Sequence, residues 1–257
     1  MRLCVVPVLL TSIALGWAST GAAEDREWTR FRGPNGCGVG RAAHIPETWS
    51  EGDYNWRTEL PGKGFSSPVI WDDRLYVTAT IEELTTFITL CLNTADGSVK
   101  WQRQFQSKPH PKYKANCDAC ATPAVDADRL YVVWATPDEH VVRALDQRDG
   151  TELWQRDLGP FVAEDGFGTS PILVGETLVL SNDQDPGGIS TIVALDRKTG
   201  EIRWQVDRES KKATFSTPCL FDPEGNNPQV IVLSCAHGVT SLNPASGAVN
   251  WALDDVF

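Results

Sequence analysis

One segment of the chain recurs four times, and a repeat of this kind limits the fold more than any other feature of a sequence. Each copy opens on a Ser/Thr-Pro step: Ser67-Pro68, Thr122-Pro123, Ser170-Pro171 and Thr217-Pro218. An apolar run follows, at Leu75-Tyr76-Val77, Leu130-Tyr131-Val132, Leu178-Val179-Leu180 and Val230-Ile231-Val232. Each copy closes on Asp or Asn, then Gly, then Trp: Asn93, Gly97 and Trp101; Asp146, Gly150 and Trp154; Asp196, Gly200 and Trp204; Asn243, Gly247 and Trp251. From Pro to Gly the intervals are 29, 27, 29 and 29 residues, and from Gly to Trp the interval is always 4.

Within a copy, β-branched and aromatic runs alternate with turn residues and lack the 3.6-residue period of a helix. In the third copy the pattern predicts strands near 170–174, 177–181, 190–195 and 202–205, with a long turn over Asn182–Gly188. The Gly before the last strand suits a positive φ, and the preceding Asp or Asn can accept hydrogen bonds from the turn's amides. Units of about 50 residues with four strands each describe the blades of an all-β propeller. The copies fall at about 65–106, 120–158, 168–208 and 215–253, so four full blades are expected.

Ala144-Leu145-Asp146-Gln147-Arg148-Asp149-Gly150-Thr151-Glu152-Leu153-Trp154 and Ala194-Leu195-Asp196-Arg197-Lys198-Thr199-Gly200-Glu201-Ile202-Arg203-Trp204 resemble the tryptophan-docking motif of the pyrroloquinoline-quinone (PQQ)-type propeller repeats. The first and fourth copies depart from it, with Cys91 and Ser241 in place of Ala and with Asn93 and Asn243 in place of Asp. The resemblance runs from about Trp28 to the C-terminus and includes Trp28-Thr29-Arg30-Phe31-Arg32-Gly33-Pro34-Asn35-Gly36, which is similar to the start of many secreted bacterial propellers of this type. It implies that Trp101, Trp154, Trp204 and Trp251 pack between blades, each with a small residue and a glycine turn. It also implies rings of seven or eight blades. Tyr54-Asn55-Trp56-Arg57-Thr58-Glu59-Leu60 resembles a blade's last strand without its own inner strands. Residues 24–64 are therefore expected to form an N-terminal segment with an orphan outer strand, and the whole to be an incomplete ring, with a compact four-bladed ring as the alternative.

The N-terminus reads as an address. Met1-Arg2 precedes an apolar run from Leu3 to Ala18, and small residues follow to Ala23, the pattern of a secretory signal peptide of residues 1–23. The run is short of the roughly 20 residues needed to span a bilayer, so an exported, periplasmic or extracellular protein without a membrane span is expected. With 34 acidic against 23 basic side chains and a net charge of -11, the chain would repel a nucleic-acid backbone.

Beyond Cys4, six cysteines remain, and an oxidising compartment permits but does not dictate their pairing. Cys117-Asp118-Ala119-Cys120 is the most unusual local feature, open to a local disulfide, to two separate pairings, or to a metal with His110. The blade connectors cluster on one face and offer candidate surface contacts: His110, Lys112, Tyr113 and Lys114 in the first, Asp165 and Phe167 in the second. The quinoprotein dehydrogenases that share the repeat show adjacent cysteines, a calcium site and an Asp base, and no Cys-Cys dipeptide occurs here. The expected function is a non-catalytic interaction or scaffold module with protein partners, self-association included, and no cofactor. The alternative is a quinone-dependent oxidoreductase of alcohols or sugars with PQQ and calcium.

Overall fold

The computed structural model describes residues 27–254 apart from 35, 41–45, 82–84, 111–116 and 210–211. The signal-peptide segment and Lys112, Tyr113 and Lys114 lie outside the described residues.

Sixteen strands form four antiparallel sheets, each a simple meander. Blade 1 holds β1 (Val69–Trp71), β2 (Arg74–Ile81), β3 (Thr86–Asn93) and β4 (Val99–Gln106). Blade 2 holds β5 (Ala124–Val125), β6 (Arg129–Thr136), β7 (Glu139–Asp146) and β8 (Glu152–Asp157). Blade 3 holds β9 (Ile172–Val174), β10 (Thr177–Asn182), β11 (Ser190–Asp196) and β12 (Ile202–Arg208). Blade 4 holds β13 (Cys219–Phe221), β14 (Gln229–Ser234), β15 (Gly238–Leu242) and β16 (Val249–Leu253). The chain thus has the all-β architecture of four-stranded propeller blades. The core lies between the blades: one cluster joins Tyr76 and Trp101 to Val132 and Val141, a second joins Val142 and Trp154 to Leu178 and Val193, and a third joins Val179 and Trp204 to Val230 and Leu242.

The closing motif of each copy has one local geometry. In each turn the Asp or Asn carbonyl accepts the Gly amide at 2.8 Å, and its side chain accepts the amide two residues on, at 2.8–3.0 Å. The glycines sit at φ of 70°, 75°, 71° and 71°, which glycine reaches without the steric cost of a Cβ. Directly across the ladder from each Trp stands a small, buried residue: Cys91 faces Trp101, Ala144 faces Trp154, Ala194 faces Trp204 and Ser241 faces Trp251. The register slips one residue later in every blade, a bulge that turns the outer strand at the indole.

The segment 54–60 pairs with no strand among the described residues, yet Trp56 Nε1 donates to Thr94 O at 2.8 Å and Thr58 Oγ1 to Gly97 O at 2.7 Å. It covers the free face of blade 1 without joining a sheet, because a ladder needs an inner neighbour. At the other end, the outer strand of blade 4 is exposed along its length, and the described blades do not close into a ring. No helix among the described residues is long and apolar enough to cross a membrane.

Candidate functional site: the connector face and the seams between blades

Each seam is built by the same groups. The Trp101 indole lies over Gly150, where a Cβ would fall 2.6 Å from Cε3, and Trp154 and Trp204 lie likewise over Gly200 and Gly247. Their Nε1 atoms donate to Gln147 O, Arg197 O and Pro244 O at 3.3, 3.0 and 2.8 Å. Arg103 and Arg156, two residues beyond the Trp, donate from Nε to Gly150 O and Gly200 O at 3.0 and 2.8 Å. Sequence reasoning missed these arginines, although the repeated Trp-Gln-Arg of blades 1 and 2 marks them. Trp251 differs. It is 45% exposed against 7% for Trp101, and its Nε1 donates to Gln229 of its own blade at 3.1 Å.

The Ser/Thr-Pro steps are a second set of ties. Ser67 N donates to Thr122 Oγ1 and Thr122 N donates to Ser170 Oγ, both at 2.9 Å, so a hydroxyl of one blade satisfies the amide of the blade before it. β9 starts at Ile172 rather than at Ser170, because Pro171 has no N–H for a ladder. The opening segment docks on the inner strands too. Trp28 bridges Ile70, Thr29 O accepts Val125 N at 2.9 Å, and Arg30 closes its own loop by donating to Pro34 O.

Successive antiparallel strands place the connectors and the second-to-third hairpins at the end of the blades opposite the glycine turns. Here the long turn predicted at 182–188 organises both adjoining connectors. Asp185 accepts Glu164 N and Ala213 N at 2.7 and 2.8 Å, and Gln184 Oε1 accepts Val162 N at 2.8 Å. Beneath it lies a buried ion pair, Arg208 Nε to Asp183 Oδ1 at 2.9 Å, with Thr214 Oγ1 donating to Asp183 Oδ2 at 2.7 Å. Burial pulls the Arg208 pKa down and the Asp183 charge opposes that shift. His140, fully buried, pairs through Nδ1 with Asn182 Oδ1 at 3.1 Å and is depressed to about 4 by burial, so it is neutral at pH 7. Neither Asp183 nor His140 was singled out as a site residue from the sequence. Only the unusual length and polarity of the Asn182-Asp183-Gln184-Asp185 turn pointed there.

The candidate contacts separate. Phe167 is buried against His140 and Phe161, at ring distances of 4.7 and 5.3 Å, and is not a surface contact: a connector aromatic found a core because His140 and Phe161 enclose it. Asp165 is half-buried and, with Lys212, Phe215 and Leu233, lines a cavity of about 420 Å³. His110 is held between Lys108 O and Asp118 Oδ1, each at 3.1 Å. Cys117 and Cys120 are thiols with sulfurs 3.7 Å apart, outside the bonding distance of about 2.05 Å. A second cavity of about 370 Å³, between the opening segment and blade 4, is lined by Arg30, Arg32, Phe215 and Cys219.

The fold has solved counterparts. BamB from Moraxella catarrhalis superposes with a TM-score of 0.54 at 20% identity, over 78% of this chain and 55% of that one. The quinohemoprotein alcohol dehydrogenase from Comamonas testosteroni superposes with a TM-score of 0.64 at 17% identity, over 92% of this chain and 42% of that one. The chain thus spans about half of the length of these counterparts or less. A search of curated proteins gives no match. The model of one family matches residues 48–136 and 107–255, nearly all of the described chain. By that match the chain belongs to the PQQ-type repeat family described as outer membrane protein assembly factor BamB.

Proposed function

We propose that the protein is an exported, non-catalytic propeller module that binds a protein partner through its connector face, in an assembly role of the kind the family description names. The observation that carries this reading is how that face uses its side chains. Two of its buried ionisable groups have partners within the face: Asp183 with Arg208 and Thr214, and His140 through Nδ1 with Asn182. Beside its exposed charges, Lys108 and Asp138 among them, it offers apolar surface to solvent, with Phe65 63% and Phe215 46% exposed and the 420 Å³ cavity beside Phe215. Exposed aromatics with a cavity beside one of them suit a protein contact.

The calcium of a quinone site needs oxygen ligands grouped together. Among the described residues no group of three His, Cys, Asp or Glu side chains stands together, and the buried carboxylate of this face is already paired.

A photo-crosslinking residue at Phe215, in the native host, is expected to capture one defined protein, while the same residue at Leu153 on an outer strand captures none. Substrate-dependent dye reduction by the purified protein with added PQQ and Ca²⁺ would overturn the reading in favour of an oxidoreductase.

A further inference from the structure

Cys117 and Cys120 bracket a turn on which blade 1 hangs. The Ala119 carbonyl between them accepts two amides of the segment leading into β1, Phe65 N at 3.0 Å and Ser66 N at 3.1 Å. The sulfurs are 3.7 Å apart, and Cys120 Sγ reaches Cys117 O at 2.9 Å. Cys120 also abuts blade 3, its Cβ 3.7 Å from where a Cβ on Gly168 would stand. The remaining described cysteines are placed elsewhere: Cys91 in the core opposite Trp101, Cys219 on β13, Cys37 and Cys235 at the surface.

We propose that Cys117 and Cys120 form a dithiol that closes to a disulfide in an oxidising compartment, and that closure tightens the anchor holding Phe65 and Ser66 at the connector face. The geometry needs the sulfurs to approach by only about 1.7 Å, and two residues between cysteines allow it within one turn. The hydrogen bond between the sulfurs lowers the Cys117 pKa and raises that of Cys120, so the pair gives up its first proton more readily than its second. With glutathione disulfide as oxidant, the first thiolate of the pair forms a mixed disulfide and releases one glutathione thiolate, which takes the proton of the remaining thiol. The second thiolate so formed then attacks the sulfur that carries glutathione. The protein S–S bond forms as the bond to glutathione breaks, and the departing glutathione thiolate takes up a proton. In sum two cysteine thiols are oxidised and one glutathione disulfide is reduced to two thiols.

The test uses the full chain, incubated with reduced or with oxidised glutathione, alkylated, digested and weighed. In the oxidised sample the peptide carrying Cys117 and Cys120 is expected to lose about 2 Da, two hydrogens, and to take up no alkyl group. Cys117→Ser and Cys120→Ser are each expected to trap glutathione on the cysteine that remains. Amide exchange over residues 62–68 is expected to be slower in the oxidised than in the reduced wild type. Alkylation of both cysteines after oxidation, or a bond from either to Cys37, Cys219 or Cys235, would overturn the pairing. Equal exchange in the two states would overturn the anchoring role.

Discussion

A tryptophan repeated every blade does different work depending on what lies over it. Trp154 is buried against Gly200 with its Nε1 satisfied, whereas Trp251 meets no following turn among the described residues. Trp154→Ala is therefore expected to cost about 3–5 kcal/mol in denaturant unfolding, and Trp251→Ala less than about 1 kcal/mol. Equal losses would remove the distinction. His140 carries a pH dependence whose sign is set by its burial. Its folded pKa, about 4, lies below the unfolded value of about 6.5, so between these values the unfolded chain binds the proton that the folded one refuses. Stability is expected to fall as pH drops through that window, by at most roughly 3 kcal/mol, and His140→Gln should remove that part of the slope. The glycine and tryptophan positions were legible in the sequence because their spacing is invariant and each has one steric reason. His140 was not, since an isolated histidine carries no mark of the Asn182 and Phe161 that enclose it.

Among elements, the strands were readable from alternation and turn residues, and β9–β12 fall where the third copy's pattern puts them. The partners of the turns were not. Asp183 and Arg208 lie on different elements, and each alone resembles an ordinary solvated charge. Removing one member is expected to be severe: Asp183→Ala should cost about 3–5 kcal/mol, while the paired change Asp183→Leu with Arg208→Met should recover much of it. Thermal unfolding of the two variants reads the difference. The Ser/Thr-Pro step was recognised as a recurring signature, but its purpose needed the neighbouring blade. Ser170→Ala leaves the buried Thr122 amide without an acceptor and should cost about 1–3 kcal/mol, whereas Ser170→Thr should be close to neutral. Phe167 was misplaced for a related reason: a connector residue reads as surface until the hairpin that roofs it is known.

At the scale of the molecule, the two ends of the row of blades are unequal. Blade 1 is covered by Trp56 and Thr58, and blade 4 ends in the exposed Val249, Trp251 and Leu253. An uncovered blade face of this kind is an association hazard. Light scattering of residues 24–257 is expected to show concentration-dependent association that Trp251→Glu relieves, and a compact monomer at every concentration would refute this. Export itself is checked by the N-terminus of the secreted protein, expected at Glu24. The seams also share a polarity. In the ties of the Ser/Thr-Pro amides to hydroxyls and of the seam indoles to turn carbonyls, the donor belongs to the earlier blade and the acceptor to the later one. For a chain threaded through a membrane N-terminus first, no blade can finish its far seam until its successor has emerged. Maturation would then trail translocation by about one repeat, with the newest blade always the unprotected one.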